Sequence, residues 1–307
     1  MLIEALEIAR AIENESSRAM ALTGLASHLP EVLPTALELT KAIGDEYYRE
    51  EALRGLVPYL PESLLPEALA VARAIVYEFY REKALTGLAP HLPENLLPEA
   101  LEVAKTIEDE KYRVKALTGL APHLPENLLP EALEVAKTIE DEKYRAEVLT
   151  GLSPYLSESL LSEALAVARG IDYESHRASA LTGLASHLPE SLLSEALEIA
   201  RAIGDEYDRA SALTGLASHL PESLLSEALE IARAIGDEYE RASALTGLAS
   251  HLPESLLSEA LEIARGIDYK SYRASALIGL ASYLGLAEKV KKRKKCGLGK
   301  YGLKKHR

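Results

Sequence analysis

The chain has 307 residues, 48% hydrophobic and 27% charged, which fits one or two ordinary domains. Fifteen Tyr stand against one Phe and no Trp, which excludes a thick aromatic core and calls for Ala, Leu and Ile in thin, close layers. Net charge is −14, but residues 288–307 carry +9 and leave −23 on residues 1–287, so the body repels phosphate backbones and argues against nucleic acid as its partner.

The opening stretch, MLIEALEIAR, contains Glu4 and no basic segment followed by an apolar one, so no signal peptide is expected. No run approaches the roughly 18 apolar residues of a membrane span. One cysteine, Cys296, allows no intrachain disulfide and fits a reducing compartment. The expectation is a cytoplasmic protein with no membrane partner.

The main signal is internal repetition. Counting the Ala of ALEIAR as position 1, copies begin at Ala5, Ala36, Ala68, Ala100, Ala132, Ala164, Ala196, Ala228 and Ala260. The spacing is 32 residues except for the first, which is 31. Each copy reads as two short helices. The first runs from LLPE or LLSE to the Ile of ARAI, with apolar residues on one face of a 3.6-residue period. Glu at position 3 and Arg or Lys at position 6, such as Glu198 with Arg201, fall on its solvent side. Ser or Asn three residues ahead of the Pro or Ser is the expected cap.

The second helix opens on DE or YE, where acidic groups face the positive end of the helix dipole. It runs through RASALTGLA and ends near Pro58, Pro90, Pro122, Pro154 or the equivalent Ser. Helices of about 12 residues do not stand alone in water, so the pairs stack into an all-α solenoid spanning residues 1–287. Every copy keeps a glycine in ALTGLA, at a cost of about 1 kcal/mol relative to Ala. Divergent copies such as REEALRGLVPYL keep it too, so a close helix crossing is expected there.

Several recurring residues invite chemical readings. His28, His91, His123, His187, His219 and His251 share one slot with Tyr59, Tyr155 and Tyr283. Stacked helices about 8–10 Å apart do not bring histidines to one zinc, so these read as amphipathic rings closing a helix end, and no metal is expected. Arg18 and its eight equivalents mostly follow a Glu by three residues, which reads as ion pairing rather than as repeated capture of a carboxylate ligand. GLGKYG, residues 297–302, matches the dinucleotide pattern only literally, since it follows no strand and opens no helix. Nothing supports catalysis or a cofactor: no enzyme is expected. The basic run KVKKRKKC reads as part of a solvated, disordered tail over residues 288–307, with nucleic-acid contact as the alternative.

SEALEIARAIGDEY resembles the second helix and turn of a tetratricopeptide repeat, and the Gly of ALTGLA resembles the Gly of its first helix. The period of 32, the absence of Trp and the Thr before the Gly depart from that pattern. The chain is more similar to the tetratricopeptide-like and HEAT-like helix-pair arrays of cyanobacterial and other bacterial multidomain proteins, in which such arrays follow an ATPase or peptidase module and act as its sensing or docking part. The resemblance implies binding of a protein or peptide, with the second helix on the concave side.

Positions 12, 16 and 19 of the second helix share a face, and that face varies most between copies. The candidate binding residues are Tyr47, Glu51 and Arg54; Phe79, Lys83 and Thr86; Lys111 and Lys115; and Tyr239 and Ser243. Specificity is expected from Tyr47 to Glu147, with the near-identical copies from Ala164 onward as spacer. The alternatives are a small-ligand binder or a regulatory subunit of an enzyme system.

Overall fold

A computed structural model describes residues 2–26 and 30–283. His28 and the basic tail, with Cys296 and GLGKYG, lie outside the described residues. The fold is an all-α array of helical repeats. In chain order the pairs are α1 (Leu2–Ala11) with α2 (Glu15–Ala26), α3 (Leu33–Lys41) with α4 (Glu46–Leu56), and α5 (Leu65–Arg73) with α6 (Glu78–Leu88). Then come α7 (Leu97–Lys105) with α8 (Glu110–Leu120), α9 (Leu129–Lys137) with α10 (Glu142–Leu152), and α11 (Glu158–Arg169) with α12 (Glu174–Ala185). The last are α13 (Glu190–Arg201) with α14 (Glu206–Ala217), α15 (Glu222–Arg233) with α16 (Glu238–Leu248), and α17 (Glu254–Arg265) with α18, residues 270–283. Among the described residues no helix is long and apolar enough to cross a membrane.

The chain divides into two compact units, one up to Leu160 and one from Leu161. Within the first, α2, α4, α6, α8 and α10 pack side by side in order; within the second, α12, α14 and α16 do the same. First helices pack on second helices, as α5 does on both α4 and α6 and α13 on both α12 and α14. The layers are thin and filled by small and aliphatic side chains: Leu37, Leu53 and Leu56 are fully buried, as the repeat pattern requires. Each such leucine contributes roughly 1.5–3 kcal/mol by leaving water.

The first helices differ from the sequence expectation at both ends. All but α1 stop at Arg or Lys, and the Ile two residues on (Ile43, Ile75, Ile107) lies in the turn, wholly buried. No Ser or Asn side chain caps α5, α7, α9, α13 or α15. The residue that sets the start is the Pro or Ser three positions further on. Pro66 lacks an N–H to give the Glu62 carbonyl, so residues Glu62–Leu64 form a separate 3-10 turn and α5 starts at Leu65. Where Ser194 replaces proline, the same stretch is one continuous helix from Glu190.

Candidate functional site

The second-helix row is held in place by three recurring devices. The first is local. Asp45, Asp109 and Asp237 cap their helices, each accepting from the backbone N–H two residues on at 2.9 Å. The second joins neighbouring repeats. The carboxylate of Glu46 accepts from Val76 N (2.8 Å) and Tyr77 N (2.7 Å), in the turn that leads into the next second helix. Glu15, Glu78, Glu110, Glu174, Glu206 and Glu238 do the same for the turns that follow them. These backbone bonds hold the carboxyls of Glu15, Glu174 and Glu238 below the usual range.

The recurring arginine completes this clasp. Arg81 Nε donates to Ile75 O at 2.7 Å, tying the end of the first helix to the second, and Arg113 Nη1 donates to Ile107 O at 3.0 Å. Arg113 also pairs with Glu110 at 3.1 Å, the intra-repeat ion pair expected from the sequence. Ion pairs between repeats lie instead on the first helices, as in Arg201 with Glu227 at 2.8 Å, beside the expected Arg201–Glu198 pair at 2.6 Å.

The third device is the glycine. A Cβ built on Gly119 would lie 3.1 Å from Cβ of Thr86 on the preceding second helix; for Gly151 and Thr118 the distance is 2.9 Å. The threonine methyl would lie closer still, nearer than real Cβ atoms come, and the threonine has little freedom to retreat. Its hydroxyl donates to the carbonyl four residues back, Thr86 to Glu82 O at 3.0 Å and Thr118 to Val114 O at 2.9 Å, and β-branching stiffens the side chain further. The expected close crossing is therefore a threonine methyl seated on a glycine. Arg54 takes the threonine's place before Gly87, and its Cγ leaves a wider 3.5 Å.

On this frame seven of the candidate residues are exposed, and Glu51, Lys83 and Thr86 are half-buried. Tyr47 is 46% exposed and meets Tyr48 edge-on (ring centroids 4.9 Å) and Tyr80 of the next repeat (5.9 Å). Phe79 repeats the pattern with Tyr80 (5.2 Å) and Tyr112 (5.6 Å), under the ammonium of Lys83 at 4.4 Å. Lys111 lies 5.5 Å from the Tyr112 ring, and Lys115 is exposed. Glu51 and Arg54, with Met20 and Gly55, line a groove of about 550 Å³ between α2 and α4. In the second unit Tyr239 and Ser243 line one of about 400 Å³ with Thr214, Thr246 and Tyr272. Thr86 is half-buried at its glycine contact.

Two residues on this row escaped the sequence reading. Glu50 and Glu82 occupy position 15, where later copies carry Val114, Ala146 or Ala178, and they are 1% and 8% exposed. Burial pushes both carboxyls above the usual range, against the pull of Arg54 on Glu50 and of Lys115 and Lys83 on Glu82. Arg54 reaches Glu50 at 3.5 Å. Their departure from the repeat consensus was the available signal. The histidines His91, His187, His219 and His251 are exposed beside helix ends, and among the described residues no three His, Cys, Asp or Glu group as a metal needs.

No protein-family model matches the chain, and no curated protein matches it. Among solved structures, Ton1535 from Thermococcus onnurineus NA1 is 18% identical, with 90% of this chain and 94% of that one covered and a TM-score of 0.29. A chain from the computational design of self-assembling cyclic protein homooligomers is 16% identical, with coverage of 92% and 91% and a TM-score of 0.13. At these TM-scores neither likeness bears on fold or function.

Proposed function

We propose that the chain is a protein-interaction scaffold or sensor array that takes a protein segment or peptide along its second-helix row. The observation that carries this reading is a ring contact repeated between successive second helices, an exposed ring against a half-buried one: Tyr47 on Tyr80, Phe79 on Tyr112, and Tyr239 on Tyr272 at 5.3 Å. The scaffold is held by the carboxylate clasps and the threonine–glycine contacts, neither of which uses Tyr47, Phe79 or Tyr239. Exposed aromatics supply contact area at small entropic cost, and the changing charges beside them supply register. Second helices also pack more intimately with one another than first helices do, so the row offers a partner a tightly spaced series of helix faces, as the resemblance to tetratricopeptide-like or HEAT-like bacterial arrays implies. This reading is of a binding protein rather than an enzyme, in the cytoplasm.

The test is selection of peptides by display against the full chain, followed by replacement of Tyr47, Phe79 and Lys83 together by Ala. The expected result is loss of binding with an unchanged circular dichroism spectrum. Unchanged affinity in the folded triple variant removes the assignment.

A further inference from the structure

Among the described residues up to Leu160, nearly every Arg and Lys is engaged by a carboxylate or a backbone carbonyl. Arg10, Arg18, Lys41, Arg49, Arg54, Arg73, Lys105, Arg113 and Lys137 each lie within 4.0 Å of a Glu. Arg81 and Arg145 donate to Ile75 O and Ile139 O. Four lysines stand apart: Lys83 on α6, Lys111 and Lys115 on α8, and Lys143 on α10. They occupy positions 12 and 16 of three consecutive second helices, where the copies in the second unit carry Ser211, Tyr239 or Ser243.

Three of these ammoniums rest on rings instead. Lys83 lies over Phe79 (4.4 Å), Lys111 over Tyr112 (5.5 Å) and Lys143 over Tyr144 (5.6 Å). Such contacts are attractive but leave the N–H donors open to an incoming anion. Lys83 and Lys115 flank the buried Glu82 without pairing with it within 4.0 Å. Glu51 on α4 and Glu147 on α10 mark the two ends of the cationic stretch.

We propose that this lysine–aromatic ledge across α6, α8 and α10 receives an extended acidic peptide, its carboxylates on the lysines and its apolar or aromatic side chains on Phe79 and the half-buried rings of Tyr112 and Tyr144. The proposal rests on the interaction reading above and narrows it to one partner chemistry and one stretch of the row. Neighbouring helices are about 8–10 Å apart, and three residues of an extended polyproline-type strand cover about 9 Å. An acidic residue at every third position therefore meets successive helices in register. At about 0.15 M salt the Debye length is about 8 Å, so the carboxylates of the −23 body that lie beyond the ledge are largely screened from it. That body disfavours a nucleic-acid strand, whose charges extend beyond the ledge on both sides.

Fluorescence anisotropy on the full chain tests this with a labelled peptide of four Glu-Pro-Tyr units, its Gln-Pro-Tyr counterpart and a labelled oligothymidylate of similar length. The expected result is binding of the Glu peptide alone, weakened about tenfold or more by Lys83→Gln, Lys111→Gln, Lys115→Gln and Lys143→Gln combined. These are surface changes, and circular dichroism verifies the fold. Failure of the Glu peptide to bind, equal binding of the Gln peptide, tighter binding of the oligothymidylate, or an unaffected quadruple variant each overturns the proposal. Display-selected peptides that still bind the quadruple variant but not Tyr47→Ala with Phe79→Ala refute the acidic partner and leave the broader interaction reading intact. Selected peptides indifferent to both variants remove both.

Discussion

Gly215 on α14 faces Thr182 on α12 so closely that a Cβ on the glycine would stand 3.0 Å from the threonine Cβ. The contact turns a helix-weakening residue into the join between repeats, and it makes a signed prediction. Gly215→Ala gains about 1 kcal/mol of helix propensity but loses more to overpacking, for a net destabilisation of about 1–2 kcal/mol. Gly24→Ala has nothing within 4 Å of the new carbon and is expected to stabilise by up to about 1 kcal/mol. Chemical denaturation of the two variants checks the contrast. Thr182→Ala combined with Gly215→Ala is expected to recover most of the loss, a coupling of about 1 kcal/mol or more in a double-mutant cycle.

The carboxylate clasps make stability depend on acid. Glu15, Glu174 and Glu238 have lower affinity for protons when folded, because backbone N–H groups bind their ionised form. Their contribution is present above the ordinary carboxylate range and is lost as pH falls through the depressed folded values. Glu46→Ala, which frees Val76 N and Tyr77 N, is expected to cost about 1–2 kcal/mol. It should also speed hydrogen exchange at those two amides. Unchanged exchange there is the adverse result.

Glu50 and Glu82 act in the opposite sense. Their folded values are raised by burial, so between the ordinary and the raised values stability falls as pH increases, and at neutral pH each charge is a burden. Glu50→Ala installs the residue that Ala146 and Ala178 provide in later copies. It is expected to stabilise the protein at pH 7 by about 1 kcal/mol, and by less near pH 4. A loss of stability at pH 7 would show that the Arg54 pair outweighs the desolvation of the carboxylate.

Much of this fold was legible because its code is local and repeated. Position 1 Ala, the buried Leu53 and Leu56, and the second-helix ends all follow from periodicity and proline. The glycine crossing was legible as a cost that every copy bears. What hid was nonlocal. Glu46 has Arg49 three residues on, which invites an ion-pair reading, while its short bonds go to backbone 30 and 31 residues away. The threonine looked like part of an outward face because its methyl contact is with the next repeat. Of the candidate site, the sequence showed which second-helix positions vary between copies; the absence of ion pairs at Lys83, Lys111, Lys115 and Lys143 required knowing where every carboxylate goes.

The start of the first helix offers a cleaner test of local chemistry. Pro98→Ser should fuse the 3-10 turn Glu94–Leu96 to α7, as Ser194 does in α13. The new residue 98 amide is expected to be protected from exchange by the Glu94 carbonyl, with overall stability altered by less than about 1 kcal/mol. A rapidly exchanging amide at that position would contradict the role given to proline.

The reading that partners dock on the second-helix row is tested most directly by methyl NMR of the full chain, labelled at Thr and Val, on titration with a display-selected peptide. Thr86 and Thr118 report from that row, and Val103 and Val135 from the first helices α7 and α9. The account predicts shifts at Thr86 and Thr118 with Val103 and Val135 unmoved. Shifts at the two valines while the threonines stay in place would contradict it.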